Sequence, residues 1–188
     1  MRSRQTNKPD KYIVSECVKV LRDELPYNLH IFVNSVEFIA KVIDTLKLAP
    51  EAVKVVCSTS GESRQENQRK LGNAYPIGQP SDPAKKINFY TSTCFEGCDI
   101  FDPDGVTFIV SDGRKAHTLL DISTLFTQIC GRIRDSRYKA QIVHVYSTTK
   151  YSKAVTLDEF VAATQRTLAD AESYAAEINS LSEATRVK

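Results

Sequence analysis

Val106-Thr107-Phe108-Ile109-Val110 and, further on, Gln141-Ile142-Val143-His144-Val145-Tyr146 are nearly continuous apolar runs. A strand with one wet face alternates apolar and polar residues. A strand covered on both faces, as in a parallel sheet layered with helices, does not. Comparable short runs fall at 29–33, 52–57 and 86–91, giving five strands with those at 106–111 and 140–146. Helical periodicity lies at 36–47, 62–71 and 121–133, and at 10–25 Val14, Cys17, Val18, Leu21 and Leu25 share one face. Strands alternating with helices predict an α/β domain around an open parallel sheet. Asp102-Pro103-Asp104-Gly105 is a turn signal, and Gly72 to Lys86, with three prolines and two glycines, reads as a long connection.

Several strand ends carry residues suited to chemistry. Ile87-Asn88-Phe89-Tyr90 runs into Thr91-Ser92-Thr93-Cys94-Phe95-Glu96-Gly97-Cys98-Asp99-Ile100. Ligands of open α/β folds bind at the carboxyl edge of the sheet. Hydroxyls there can donate to phosphate, Gly97 permits close backbone approach, and Asp99 can accept from a ribose hydroxyl or an arginine. The bland alternative is a polar loop with a turn glycine. His30-Ile31-Phe32-Val33 ends in Asn34-Ser35 before the helical pattern Val36, Ile39, Ala40, Ile43 and Leu46. Thr127-Gln128-Ile129-Cys130-Gly131-Arg132-Ile133-Arg134-Asp135 places two arginines on a segment otherwise rich in apolar residues. That is costly unless an anion, a carboxylate or water receives them; the alternative is an arginine-rich helix end.

In order, these three pieces resemble motifs IV, V and VI in the second RecA-like domain of superfamily 2 helicases, over about residues 28 to 148. Motif V commonly reads Thr, five residues, Gly, one residue, Asp-Ile, which Thr91, Gly97, Asp99 and Ile100 match. Motif VI commonly reads Gln, two residues, Gly-Arg, two residues, Arg, which Gln128, Gly131 and Arg132 match. The last arginine of that motif falls on Asp135, with Arg134 one residue early and Arg137 two late. On a regular helix Arg134 would project roughly 200° around from Arg132, so it reaches the same phosphate only if the helix ends or bends.

The resemblance implies a RecA-like open parallel sheet flanked by helices, forming half of an ATP-dependent helicase or translocase. Asn34, Ser35, Thr91 and Ser92 would bind the backbone of single- or double-stranded nucleic acid. Gly97, Asp99 and Gln128 would approach the nucleotide, and Arg132 and Arg134 would act on the terminal phosphates catalytically. ATP and Mg2+ would be shared with an N-terminal RecA-like domain, because no G-x-x-x-x-G-K-[ST] phosphate loop occurs in these residues. Two other readings stay open: a RecA-like module that binds nucleic acid or protein without hydrolysis, supported by Asp135, and an unrelated small-molecule-binding α/β domain.

Composition bounds the rest. A chain of 188 residues with net charge +2 carries no global nucleic-acid signal, so local clusters such as Arg132, Arg134, Arg137 and Lys139, or Arg64, Arg69 and Lys70, would have to supply one. Five cysteines in no framework point to a reducing, cytoplasmic setting. Cys94 and Cys98 lack the second ligand pair that zinc needs, so no metal site is expected; they are read as buried or loop thiols that would sensitise a nearby nucleotide edge to oxidation. No stretch reads as a membrane span. Residues 1–10 are expected to be disordered, 11–150 to form the RecA-like domain, and 151–188 a helical extension. Thr156 and Glu159 form a capping box. Leu157, Val161, Thr164, Leu168, Ala171, Ala175, Ile178 and Ser182 then step by four and three. This seam fits a long helix packed on its own domain or, over 156–185, a helical partner.

Overall fold

The computed structural model describes residues 1–147 and 156–186. The chain divides into two compact units, Met1–Lys150 and Tyr151–Lys188. The first has the RecA-like α/β arrangement, with six strands, all parallel: β1 (Arg2–Gln5), β2 (Asn28–Phe32), β3 (Val53–Val56), β4 (Ile87–Tyr90), β5 (Gly105–Ser111) and β6 (Ile142–Tyr146). Their spatial order is β1-β6-β5-β2-β4-β3. From β2 the chain builds outward to β3 and β4 on one side, then to β5 and β6 on the other. The carboxyl end of β2 is therefore the point where the winding reverses, the usual crevice of an open α/β sheet.

All seven residues of β5 are buried, which is why its sequence is apolar without alternation. Alternation survives as a division between two cores. Leu29, Ile31, Val106, Phe108 and Val110 meet α1 (Pro9–Leu21), α2 (Val36–Leu46) and the end of α3 (Gly61–Leu71) on the first face. Phe32, Val56, Tyr90 and Ile109 lie on the second face, under Cys94, Phe95, Ile100, Phe126, Ile129 and Ile133. Pro9 opens α1, where its missing N–H costs nothing. Lys47, in the left-handed region at φ 47°, ends α2.

The second face is apolar only toward the carboxyl ends. Nearer the amino ends it carries His30, Lys54 and Asn88, all buried. Each is satisfied internally, as buried polar groups must be. Asn88 Nδ2 donates to Leu29 O at 3.1 Å and Lys85 O at 2.7 Å. Lys54 Nζ donates to Asp82 O at 2.7 Å and Pro80 O at 3.3 Å. Lys54 thus straps down the long 72–86 connection, while Ile77 of that connection pairs with Val55 and covers the outer edge of β3.

Gly105 shows how close this packing is. A Cβ there would lie 2.9 Å from the His30 ring and 3.2 Å from Ile133 Cδ1. His30 is fully buried and hydrogen-bonded at both nitrogens, so it has no room to yield. Gly105→Ala should destabilise the domain by about 1–3 kcal/mol through overpacking. Urea unfolding of the variant against wild type measures this; an unchanged midpoint would contradict it.

Two expectations are corrected. Residues 1–10 are not uniformly disordered: Arg2–Gln5 form the edge strand β1, paired from Arg2 with Val143 to Gln5 with Tyr146. All four side chains are exposed, so backbone pairing holds the strand, with Arg4 over the Tyr12 ring at 5.7 Å, and no apolar pattern announces it. The expected helix at 121–133 is broken up. A π-helical turn, Ile122–Phe126, leads into α4 (Thr127–Cys130), and the helix stops at Gly131. In the second unit, α5 spans Leu157–Arg186, with Thr156 and Glu159 making the reciprocal cap. Leu157, Phe160, Val161 and Leu168 are exposed. Ala175, Ile178 and Ser182 lie outside the residues whose side chains are described. Among the described residues no helix is long and apolar enough to cross a membrane.

Candidate nucleic-acid and nucleotide site

Asn34 follows β2 at the winding reversal and ties the neighbouring strand ends together. Its Nδ2 donates to His117 O at 2.8 Å, in the loop after β5, and its Oδ1 accepts from Ser92 N at 3.4 Å, in the loop after β4. Ser35 is buried and caps α2, accepting from Phe38 N at 3.2 Å. Thr91 is also buried, its hydroxyl 3.3 Å from that of Thr93, and its N–H donates to Val56 O. Ser92 and Thr93 are the exposed hydroxyls of this edge. Of the four residues implied for the backbone, Asn34 and Ser92 face an accessible surface, while Ser35 and Thr91 shape it.

The loop after β5 adds a part the sequence reading passed over. Asp112 receives a fork of two 2.9 Å bonds from Arg114 Nε and Nη2, and a 2.8 Å bond from Ser147 Oγ. Arg114 first, and then Ser147, hold the Asp112 carboxyl well below the usual carboxylate range despite its burial. Asp112 N donates to Thr118 Oγ1, closing the turn that presents Lys115 and His117. A shallow depression of about 260 Å³ lies among Asn34, Ser35, Glu37, Asn67, Lys70 and His117. Glu37 sits between two of the cations, 4.0 Å from Lys70 Nζ and 3.6 Å from Lys115 Nζ. The signal was present: Ser111-Asp112-Gly113-Arg114 ends a strand in the same manner as Thr91 to Asp99.

The segments around Asp99 and Arg132 are stitched together. Ile100 N donates to Arg132 O at 2.9 Å and Arg134 N to Ile100 O at 3.0 Å, so Ile100 and Ile133 form a parallel bridge. Ile133 is buried, and the two arginines flanking it project to the opposite side, because extended backbone repeats every two residues. Arg132 donates from Nε to Gln128 O at 3.0 Å and from Nη1 to Cys98 O at 2.9 Å. Arg134 Nε meets Asp99 Oδ1 at 2.7 Å, with both side chains 48 % exposed. The offset of roughly 200° expected for a continuous helix does not arise, since the helix has already ended at Gly131.

Gly97 adopts φ 70°, with open space where a Cβ would stand. It makes a left-handed turn that returns the chain to Asp99, and no protein atom crowds its backbone. Gln128 is exposed. Cys94 is buried, and burial, then the adjacent Cys98, pushes its thiol up to about 12. It stays protonated at neutral pH, which argues against reactivity there. Among the described residues no group of three or more His, Cys, Asp or Glu converges to hold a metal ion.

Behind the bridge runs a buried polar chain. Asp102 Oδ2 lies 2.7 Å from His30 Nε2, and His30 Nδ1 lies 3.1 Å from Tyr90 Oη. Asp102 also accepts from Asn28 Nδ2 at 3.0 Å and Asp104 N at 2.9 Å. Burial pulls His30 below its ordinary value, and the pull of Asp102 in the other direction does not overcome it. Burial pushes Asp102 up, but the bonds from His30, the Asp104 amide and Asn28 outweigh it and leave the carboxyl lowered. The pair is therefore a neutral imidazole donating to a carboxylate, with Tyr90 donating to its other nitrogen. No protein-family model matches the chain, and no curated protein matches it.

Proposed function

We propose that this chain is the C-terminal, second RecA-like half of an ATP-dependent superfamily 2 nucleic-acid helicase or translocase, working in the cytoplasm. The observation that carries the reading is the Ile100–Ile133 bridge, which draws Asp99, Arg132 and Arg134 into one half-exposed cluster. Those are the residues that the motif resemblance assigns to the nucleotide, and they come from segments far apart in sequence.

In this reading the carboxyl edge around Asn34 and Ser92 holds a sugar–phosphate backbone, a contact that positions a strand without reading its sequence. The donor set of Arg132 and Arg134 fits the terminal phosphates of ATP, since guanidinium forks match phosphate oxygens and stay charged. ATP and its Mg2+ would be held mainly by a first RecA-like domain carrying the phosphate loop. For Arg134 to reach phosphate it exchanges Asp99 for the incoming anion, which frees Asp99 to accept from a ribose hydroxyl. Closure of the two domains then brings the arginines to the developing charge of phosphoryl transfer. The exposed stripe of α5 is the surface for a helical partner over 156–185.

The binding half of this reading is tested with the 188-residue chain alone. It should bind a fluorescent single strand weakly, with log affinity falling against log salt at a slope of about −2, as expected for three phosphates at about 0.7 each. Asn34→Ala should weaken binding by about fivefold, the equivalent of one lost hydrogen bond. Salt-independent or base-specific binding would point to another surface and to a different function.

A further inference from the structure

We propose that Asp135 is a positioning residue for the arginine pair, fastening the Arg132–Arg134 segment to the buried Asp102–His30–Tyr90 chain. The proposal rests on the reading of Arg132 and Arg134 as phosphate-facing groups. Upstream, the segment is released by the helix end at Gly131. Its own backbone contributes the two hydrogen bonds of the Ile100 bridge. Directly after Arg134, Asp135 Oδ1 accepts from Asp102 N at 2.8 Å.

That anchor point is fixed. Asp102 is 4 % exposed, and its carboxylate is held by His30, Asn28 and the Asp104 amide. Ser136 Oγ to Gly105 O at 2.6 Å and Arg137 N to Pro103 O at 3.0 Å continue the attachment down the chain. Asp135 is the side chain of this series next to Arg134, so its bond sets where the extended arginine segment ends. An arginine at 135, which the motif spacing calls for, has no acceptor and cannot make this bond. The acidic residue at that position is thus the counterpart of the shortened Arg-x-Arg spacing. It secures two arginines on one side of a strand instead of two on one face of a helix.

The test has two arms. In the motor that includes the phosphate-loop domain, Asp135→Ala and Asp135→Arg should lower kcat for nucleic-acid-stimulated hydrolysis by roughly 10–100-fold, leaving KM for ATP within about twofold. Asp135→Asn keeps an oxygen acceptor and should stay near wild type. In an Arg132→Ala/Arg134→Ala background, Asp135→Ala should add less than about twofold, because a residue acting through the arginine pair loses its effect with it. In the 188-residue chain, Asp135→Ala should speed hydrogen exchange at the Ile100 and Arg134 amides by about tenfold or more, with core amides such as Ile109 unchanged.

Unchanged exchange, wild-type turnover in Asp135→Arg, or a full additional loss in the Arg132→Ala/Arg134→Ala background would each overturn the proposal. Faster exchange combined with normal turnover in Arg132→Ala and Arg134→Ala would instead refute the phosphate-facing reading beneath it. Unchanged exchange with those two variants inactive would refute the positioning role alone.

Discussion

In the intact motor, Arg132→Ala should lower nucleic-acid-stimulated ATP hydrolysis by about 10³-fold or more, the usual worth of an arginine that meets phosphoryl charge across a cleft. Arg134→Ala should be comparably damaging. On a continuous helix that would not follow, but the chain leaves the helix at Gly131, and the Ile100–Ile133 bridge places both side chains together. Stability should fall little in either variant. Arg132 gives up bonds to two carbonyls at a partly exposed site, a loss of about 1 kcal/mol, and Arg134 gives up a half-exposed ion pair, whose worth is usually smaller still. Steady-state turnover at matched thermal stability reads the effect. Near-normal turnover in both variants would favour a RecA-like module that binds without hydrolysing.

Asp102→Ala should destabilise the domain by about 3–5 kcal/mol, the summed cost of leaving three buried or part-buried donors without their acceptor. The His30 Nε2–H, Asn28 Nδ2 and the Asp104 amide would all lose their acceptor. Acid should weaken the wild-type fold by two routes. The folded His30 is held below its ordinary value, so as pH falls through about 6.5 the unfolded ring takes a proton that the folded ring refuses, and stability declines. The folded Asp102 is also lowered, so its contribution is complete above the ordinary carboxylate range and disappears as pH falls through its folded value. Asp102→Ala should remove the second route. Urea unfolding across pH measures both effects, and a loss under about 1 kcal/mol for Asp102→Ala would contradict this account of the buried chain.

The strands that pack on both sides were legible because burial leaves its mark on composition: β5 carries the unbroken run Phe108-Ile109-Val110, and β2 and β4 are apolar but for Asn28, His30 and Asn88. Strand β1 was not, because Arg-Ser-Arg-Gln is held by backbone pairing and buries no side chain. The segment at 121–133 has helical periodicity, yet Ile133 packs as part of an extended bridge. Periodicity cannot distinguish these for a few residues near a glycine. Strand ends and motif spacing singled out Asn34, Ser92, Asp99, Arg132 and Arg134, and the structure sets Asn34 against Ser92 and Asp99 against Arg134. The role of Asp102 was hidden because the pattern Asp-Pro-Asp-Gly explains it locally as a turn, whereas its partner His30 lies 72 residues away. Asp135 was visible only as a mismatch, and its bond to Asp102 N gives that mismatch a physical reason.

The central claim is that this chain is one half of a composite ATPase. The most direct measurement is steady-state ATP turnover, with and without single-stranded nucleic acid, by the 188-residue chain alone and by the longer protein or complex that supplies a phosphate-loop domain. The chain alone should show no turnover above background, and nucleic-acid-stimulated turnover should appear once the phosphate-loop domain is present. Robust hydrolysis that purifies with the isolated chain, or none in the complete assembly, would contradict the claim.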